Sequence, residues 1–166
     1  MRILVNALSG IGDALMFTPA LRLLRNSLPE ANIEAMVMYK GVKDFYERIP
    51  QIDKVHYYDF LNSNPLSALK FVLSLRGKFD ASINVYPSNR KEYNIINRII
   101  GADKRVGVRY LRKDNVNWGF LNNFTIMEND SLHNVEENVK LIELITGESY
   151  SDIPGLLFPL YEEDRA

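Results

Sequence analysis

Cysteine is missing from the 166 residues, which excludes disulfide staples and thiolate metal ligands together. Histidine is nearly missing, His56 and His133 being the only two, and there is no Asp-x-Asp pair. His133-Asn134-Val135-Glu136-Glu137 would set a histidine and two acids on one helical face. The second histidine of a zinc helix is absent, so the run reads as a helix start and no metal is expected. No glycine is followed by Lys and then Ser or Thr, so there is no P-loop. Long apolar runs are absent too. The N-terminal stretch reaches Asp13 before one develops, which argues against a signal peptide or anchor there and favours the cytoplasm.

What is present fits a soluble domain able to bury a core: 46% of residues are hydrophobic and 25% charged. The net charge of -1 conceals an uneven distribution. Between Arg90 and Lys113 eight bases meet two acids, whereas from Glu128 to Ala166 ten acids meet two bases. The basic middle points to an anionic partner; two solvated faces that offset one another are the plain alternative. Nucleic acid is not expected, because the pI is about 6.1 and no recognition motif accompanies the bases.

Short apolar runs at 2–6, 33–38, 54–58, 81–86 and 105–108 read as buried strands. Between them, 42–49, 66–75 and 93–100 carry apolar residues at helical spacing, and a further helix is expected over 133–146 with Gly147 as its stop. Another runs from Asp13 to Leu28, interrupted at Pro19 by a kink or by a fresh start capped by Thr18. Alternation of this kind predicts an α/β domain with a Rossmann-like, doubly wound parallel sheet over residues 1–150. Ligands would then gather beyond the carboxyl ends of the strands. Residues 151–166, rich in Pro at first and acidic at the end, read as the start of a linker. The basic amphipathic stretch 66–78 suits sheet packing better than a membrane surface.

Chemistry concentrates in the first turn, Ser9-Gly10-Ile11-Gly12-Asp13. Gly10 and Gly12 allow a tight turn and close approach of a ligand, and the helix that follows offers unpaired amides. A dinucleotide fingerprint is the rival reading. Leu15 occupies the place of its third glycine, and Val37-Met38-Tyr39-Lys40 lacks the acid that would hold a ribose. An acid directly after the glycines suits a turn that presents a carboxylate. The helix end favours the Asp13 anion and apolar neighbours oppose it, so its pKa is open in either direction; a plain helix-starting role is the simplest alternative.

Ser9-Gly10-Ile11-Gly12-Asp13-Ala14-Leu15 with Thr18-Pro19-Ala20-Leu21-Arg22 resembles the opening motif of glycosyltransferase family nine, which includes the lipopolysaccharide heptosyltransferases. Lys78-Phe79-Asp80, Lys104-Arg105-Val106-Gly107-Val108 and His133-Asn134-Val135-Glu136-Glu137-Asn138 extend the resemblance. It implies the N-terminal, acceptor-side half of a GT-B enzyme, with the C-terminal donor-binding domain absent from these 166 residues. Asp13 would be the general base of an inverting transfer. Ser9, Gly10 and Gly12, with Arg90, Arg109, Arg112 and Lys113, would hold a lipid-linked or phosphorylated sugar acceptor. No cofactor is implied; a nucleotide sugar such as an ADP-sugar would be the co-substrate, bound mainly by the absent domain or a partner chain. The expected place of work is the cytoplasm, at the inner face of the membrane where envelope glycans are built. A non-catalytic glycan- or anion-binding module is the second reading and a nucleotide-binding oxidoreductase half the third.

Overall fold

The computed structural model describes residues 1–158; the rest of the expected linker, 159–166, lies outside the described residues. The strands are β1 (Arg2–Ala7), β2 (Asn32–Val37), β3 (Lys54–Tyr57), β4 (Ala81–Asn84), β5 (Lys104–Arg109) and β6 (Phe124–Met127). All pair in parallel, in the order β3-β2-β1-β4-β5-β6. β1 sits centrally, with Ile3 against Ile33 on one side and Ala81 on the other. Its run Ile3 to Ala7 is buried on both faces, which explains why Ile3, Leu4 and Val5 are apolar in succession rather than alternating with polar residues.

The helices are α1 (Ile11–Met16), α2 (Thr18–Ser27), α3 (Lys40–Tyr46), α4 (Pro65–Leu75), α5 (Lys91–Ile100), α6 (Asp114–Asn117) and α7 (Asn134–Thr146), with a 3₁₀ turn at Gly119–Leu121. Ile3, Val5, Ile33 and Ile83 join Leu21, Phe45 and Leu141 of α2, α3 and α7 in one core layer. Leu4 and Met36 point the other way, to Val72 and Leu75 of α4 and Ile100 of α5. Gly101 and Gly147 end α5 and α7 with φ of 70° and 75°, a left-handed geometry that strains any side chain with a Cβ.

Two expectations are corrected. Pro19 does begin a new helix, but Thr18 is its first residue and Phe17 the flanking one. The Thr18 hydroxyl donates to the Leu15 carbonyl at 2.8 Å and accepts from the Leu157 amide at 2.9 Å, so it joins α2 to the tail of the described chain. The sixth strand, β6, was not expected; its partly exposed residues at the sheet edge lack the run of buried apolar positions that marks the others.

Under α5 lies a buried asparagine network. Asn6 donates to Asn84 at 3.0 Å and to Asn97 at 3.1 Å. Asn84 donates to Asn94 at 2.9 Å, Asn97 to Asn122 at 2.8 Å, and Asn122 to Asn94 at 2.8 Å. These bonds tie the carboxyl ends of β1 and β4 to α5 and to the stretch before β6, and buried amides tolerate such a place only when partnered.

Candidate functional site

The crossovers after β1 and β2, through α2 and α3, pack on one face and that after β4, through α5, on the other, so the strand order reverses between β1 and β4, the position at which open α/β sheets bind ligands beyond the strands' carboxyl ends. β1 leads into the turn 9–13 and β4 into the loop 86–90. The Ser9 hydroxyl joins them by donating to the Pro87 carbonyl at 3.0 Å. The predicted turn and the predicted basic stretch therefore meet at this edge through that loop.

Asp13 is in the first turn of α1, whose N-cap is Gly10. The turn does not need glycine for its own geometry: Gly10 has an ordinary φ of -70°, and neither Gly10 nor Gly12 has a positive φ. A Cβ at either position would meet nothing within 4 Å. What the glycines leave is bare backbone facing open space, the arrangement that admits a ligand closely. Burial raises the Asp13 carboxyl above its ordinary 3.8, with the neighbouring Ser9 hydroxyl pulling the other way. That hydroxyl has a single proton, which here goes to Pro87, so burial prevails. Tyr46 lies beneath, its hydroxyl donating to the Ala14 carbonyl at 3.1 Å. Burial, and then the Asp13 charge, push its pKa far up, so it stays protonated.

The four predicted bases separate into different roles. Arg109 is held by Asp114, with Nε at 2.9 Å and Nη2 at 2.7 Å from the same carboxylate oxygen. Arg112 and Lys113 line a polar cavity of about 240 Å³ with Asn89, Tyr110, Glu128 and Asp130. Arg90 is the N-cap residue of α5 and lines a separate groove, together with Leu8, the residue before Ser9. His133 caps α7: Nδ1 accepts from the Val135 amide at 3.3 Å and Glu136 accepts from the His133 amide at 2.7 Å. Among the described residues no group of three or more His, Asp or Glu is placed to hold a metal.

Several site residues carry no motif in the sequence. The Tyr110 hydroxyl oxygen accepts from the Ser88 amide at 2.8 Å, fixing the 86–90 loop against β5. Tyr86 donates to Glu128 at 3.2 Å; burial first, and Glu128 next, push its pKa to about 12. Glu137 is buried, with Oε1 accepting from the Asn129 amide at 2.6 Å and Oε2 unpartnered. Burial raises its pKa, and Glu128 and Asp130 add to the rise. The unequal positions of these acids along the chain explain why no spacing rule finds them; only the run of acids after β6 hints at them.

No protein-family model matches the sequence, and no curated protein is significantly similar to it. Solved structures are similar. A family 9 glycosyltransferase from Veillonella parvula superposes with a TM-score of 0.75 at 23% identity, over 98% of this chain and 45% of that one. ADP-heptose lps heptosyltransferase II of E. coli gives 0.74 at 20% identity, over 98% and 48%. E. coli heptosyltransferase WaaC with ADP gives 0.73 at 19%, over 93% and 50%. The chain spans about half the length of these structures, and its fold is that of the N-terminal half of a GT-B heptosyltransferase. Among the described residues no helix is long and apolar enough to cross a membrane.

Proposed function

We propose that this chain is the acceptor-binding half of an inverting, metal-independent glycosyltransferase that draws on a nucleotide sugar, with Asp13 as general base. The observation that carries the reading is a half-buried carboxylate with a raised pKa, standing beside bare glycine backbone at the point where the strand order reverses. In the transfer, the acceptor hydroxyl oxygen forms a bond to the anomeric carbon as the bond to the nucleotide diphosphate breaks. The diphosphate leaves with that electron pair and the hydroxyl proton passes to Asp13. A raised pKa makes the Asp13 carboxylate a better proton acceptor.

Arg112 and Lys113 suit a phosphate on the acceptor, and Glu128 and Asp130 across the same cavity suit sugar hydroxyls. A phosphorylated sugar uses both. Of the two E. coli neighbours, one is an ADP-heptose lps heptosyltransferase and the other is a heptosyltransferase with ADP, which makes an ADP-sugar the donor to try first and an envelope glycan the product. Donor binding falls to a second half, on further chain or on a partner. A second reading, a module that holds a phosphorylated sugar without transferring to it, is favoured by the completeness of the Arg112 cavity within this chain.

The test is calorimetric binding of phosphorylated sugars to this chain, then turnover with ADP-sugars once a donor-binding half is supplied. Asp13→Asn should bind acceptor normally and lose about 10² to 10⁴ in kcat, the range of a general base. A variant with near-normal kcat sinks the transferase reading; acceptor binding without turnover in any combination leaves the binding module.

A further inference from the structure

The two inner helices of one face, α4 and α5, do not close over the sheet. Between them runs a groove of about 410 Å³, lined by Leu8, Met38, Leu69, Val72, Ile96 and Ile99 among others, with Arg90 and Glu92 as the charged residues of its lining. That volume lies within the range of small-molecule sites. The rim continues outward over Leu61, Leu66 and Leu73, which are 58%, 73% and 43% exposed. Exposed leucines beside an apolar groove are costly in water and are a common mark of a binding site.

Charge selects the occupant. α4 and the residues after it, from Pro65 to Lys78, carry Lys70, Arg76 and Lys78 and no acid. Among the described residues Arg90 makes no ion pair and no side-chain hydrogen bond. A second copy docked through this face would bring like charges together, so self-association is disfavoured. An apolar tail with an anionic head suits both parts. The groove also ends at the candidate site: Leu8 lines it, Ser9 follows, and Tyr93, another lining residue, donates to the Leu8 carbonyl at 3.0 Å.

We propose that the α4/α5 groove takes the hydrocarbon chain of an anionic amphiphile, with Arg90 meeting its head group beside the 9–13 turn. The assignment of this amphiphile as the lipid arm of the sugar acceptor rests on the transferase reading; the groove as a lipid-chain site does not. It adds a specificity element, because a chain seated here sets how far the attached sugar extends toward Asp13.

The experiment titrates the chain with dodecyl, decyl and octyl phosphate below their micelle concentrations, with dodecyl maltoside as the uncharged probe. Saturable binding of one alkyl phosphate per chain is expected, weakening roughly fourfold for each methylene removed, as burial of hydrocarbon requires. Ala68→Trp, which fills the groove, should weaken every probe at least tenfold, and Leu69→Gln, at an exposed lining position, should do so without endangering the fold. Arg90→Gln should weaken dodecyl phosphate about tenfold and leave dodecyl maltoside unchanged. Binding that ignores chain length or both groove variants overturns the proposal. So does adsorption to anionic phosphatidylglycerol vesicles that Leu66→Ser abolishes and Ala68→Trp leaves intact, or dimerisation abolished by the same serine. Loss of turnover in Asp13→Asn bears on the transferase reading alone.

Discussion

Gly107 gives a test of how the site is held. It lies in β5, and a Cβ placed on it would stand 2.5 Å from Asn122 Nδ2 and 3.1 Å from Asn122 Cγ. The first is closer than Cβ contacts come and the second is tight, so in Gly107→Ala the Asn122 amide must swing away. It then gives up its bond to Asn94 and the one it receives from Asn97, both 2.8 Å and both buried. Asn97 Nδ2 has Asn122 as its partner and would be left without one. A buried polar group stripped of its partner costs about 1–3 kcal/mol, and two broken bonds therefore about 2–6 kcal/mol. That is a large share of the roughly 5–15 kcal/mol that holds a domain together. At about 2–4 °C per kcal/mol for a chain of this size, the melting temperature should fall by about 4–24 °C.

Thermal and urea unfolding of four proteins decides the matter: the parent, Gly107→Ala, Asn122→Ala and the double variant. Asn122→Ala removes the same two bonds and also clears the space that the new methyl needs. The double variant should thus be about as stable as Asn122→Ala alone, with a coupling energy as large as the Gly107→Ala loss itself. Additive losses, or a Gly107→Ala protein within about 0.5 kcal/mol of the parent, would refute the reasoning.

Two further outcomes follow from the site. Asp13 titrates higher in the folded chain than its ordinary 3.8, so between those two values the folded state holds the extra proton and stability falls as pH rises through them. Asp13→Asn should melt above the parent at pH 7 and lose that advantage below the unfolded value, a lower melting temperature at pH 7 being the refuting result. Arg112→Ala should weaken binding of a phosphorylated sugar about tenfold or more, as loss of a charged hydrogen bond does, while Arg109→Ala, whose guanidinium is held by Asp114, should leave affinity within about twofold. Calorimetry distinguishes the two, and equal losses would place Arg109 in the site after all.

Much of the fold was legible because the strongest signals are local. β1, β2 and β4 are buried on both faces, so their sequences are largely apolar without strict alternation, and Gly101 and Gly147 stand where the ending helices require a left-handed residue. β6 was not legible for the complementary reason. It borders the sheet beside β5 alone, its four residues are partly exposed, and its pairing is fixed by contacts far off in sequence, such as Arg105 N donating to the Asn123 side chain at 2.7 Å. Thr18 misled in a different way: a hydroxyl before a proline resembles a cap, yet here it answers a chain segment 139 residues away.

The site divides along the same line. Asp13 could be singled out because an acid directly after a glycine turn is unusual for anion binding, and that oddity is written in five consecutive residues. Its pKa could not be read, since the outcome depends on how far the fold buries the carboxyl, with Tyr46 packed under the same turn and Pro87 joined to it through Ser9. The basic stretch shows the limit of counting charge. Arg109 and Arg112 are three residues apart, yet one is consumed by a carboxylate five positions on and the other faces a cavity shared with Glu128 and Asp130. Net charge therefore locates a basic region, and only geometry separates the bases that face a cavity from those held by a carboxylate of their own loop.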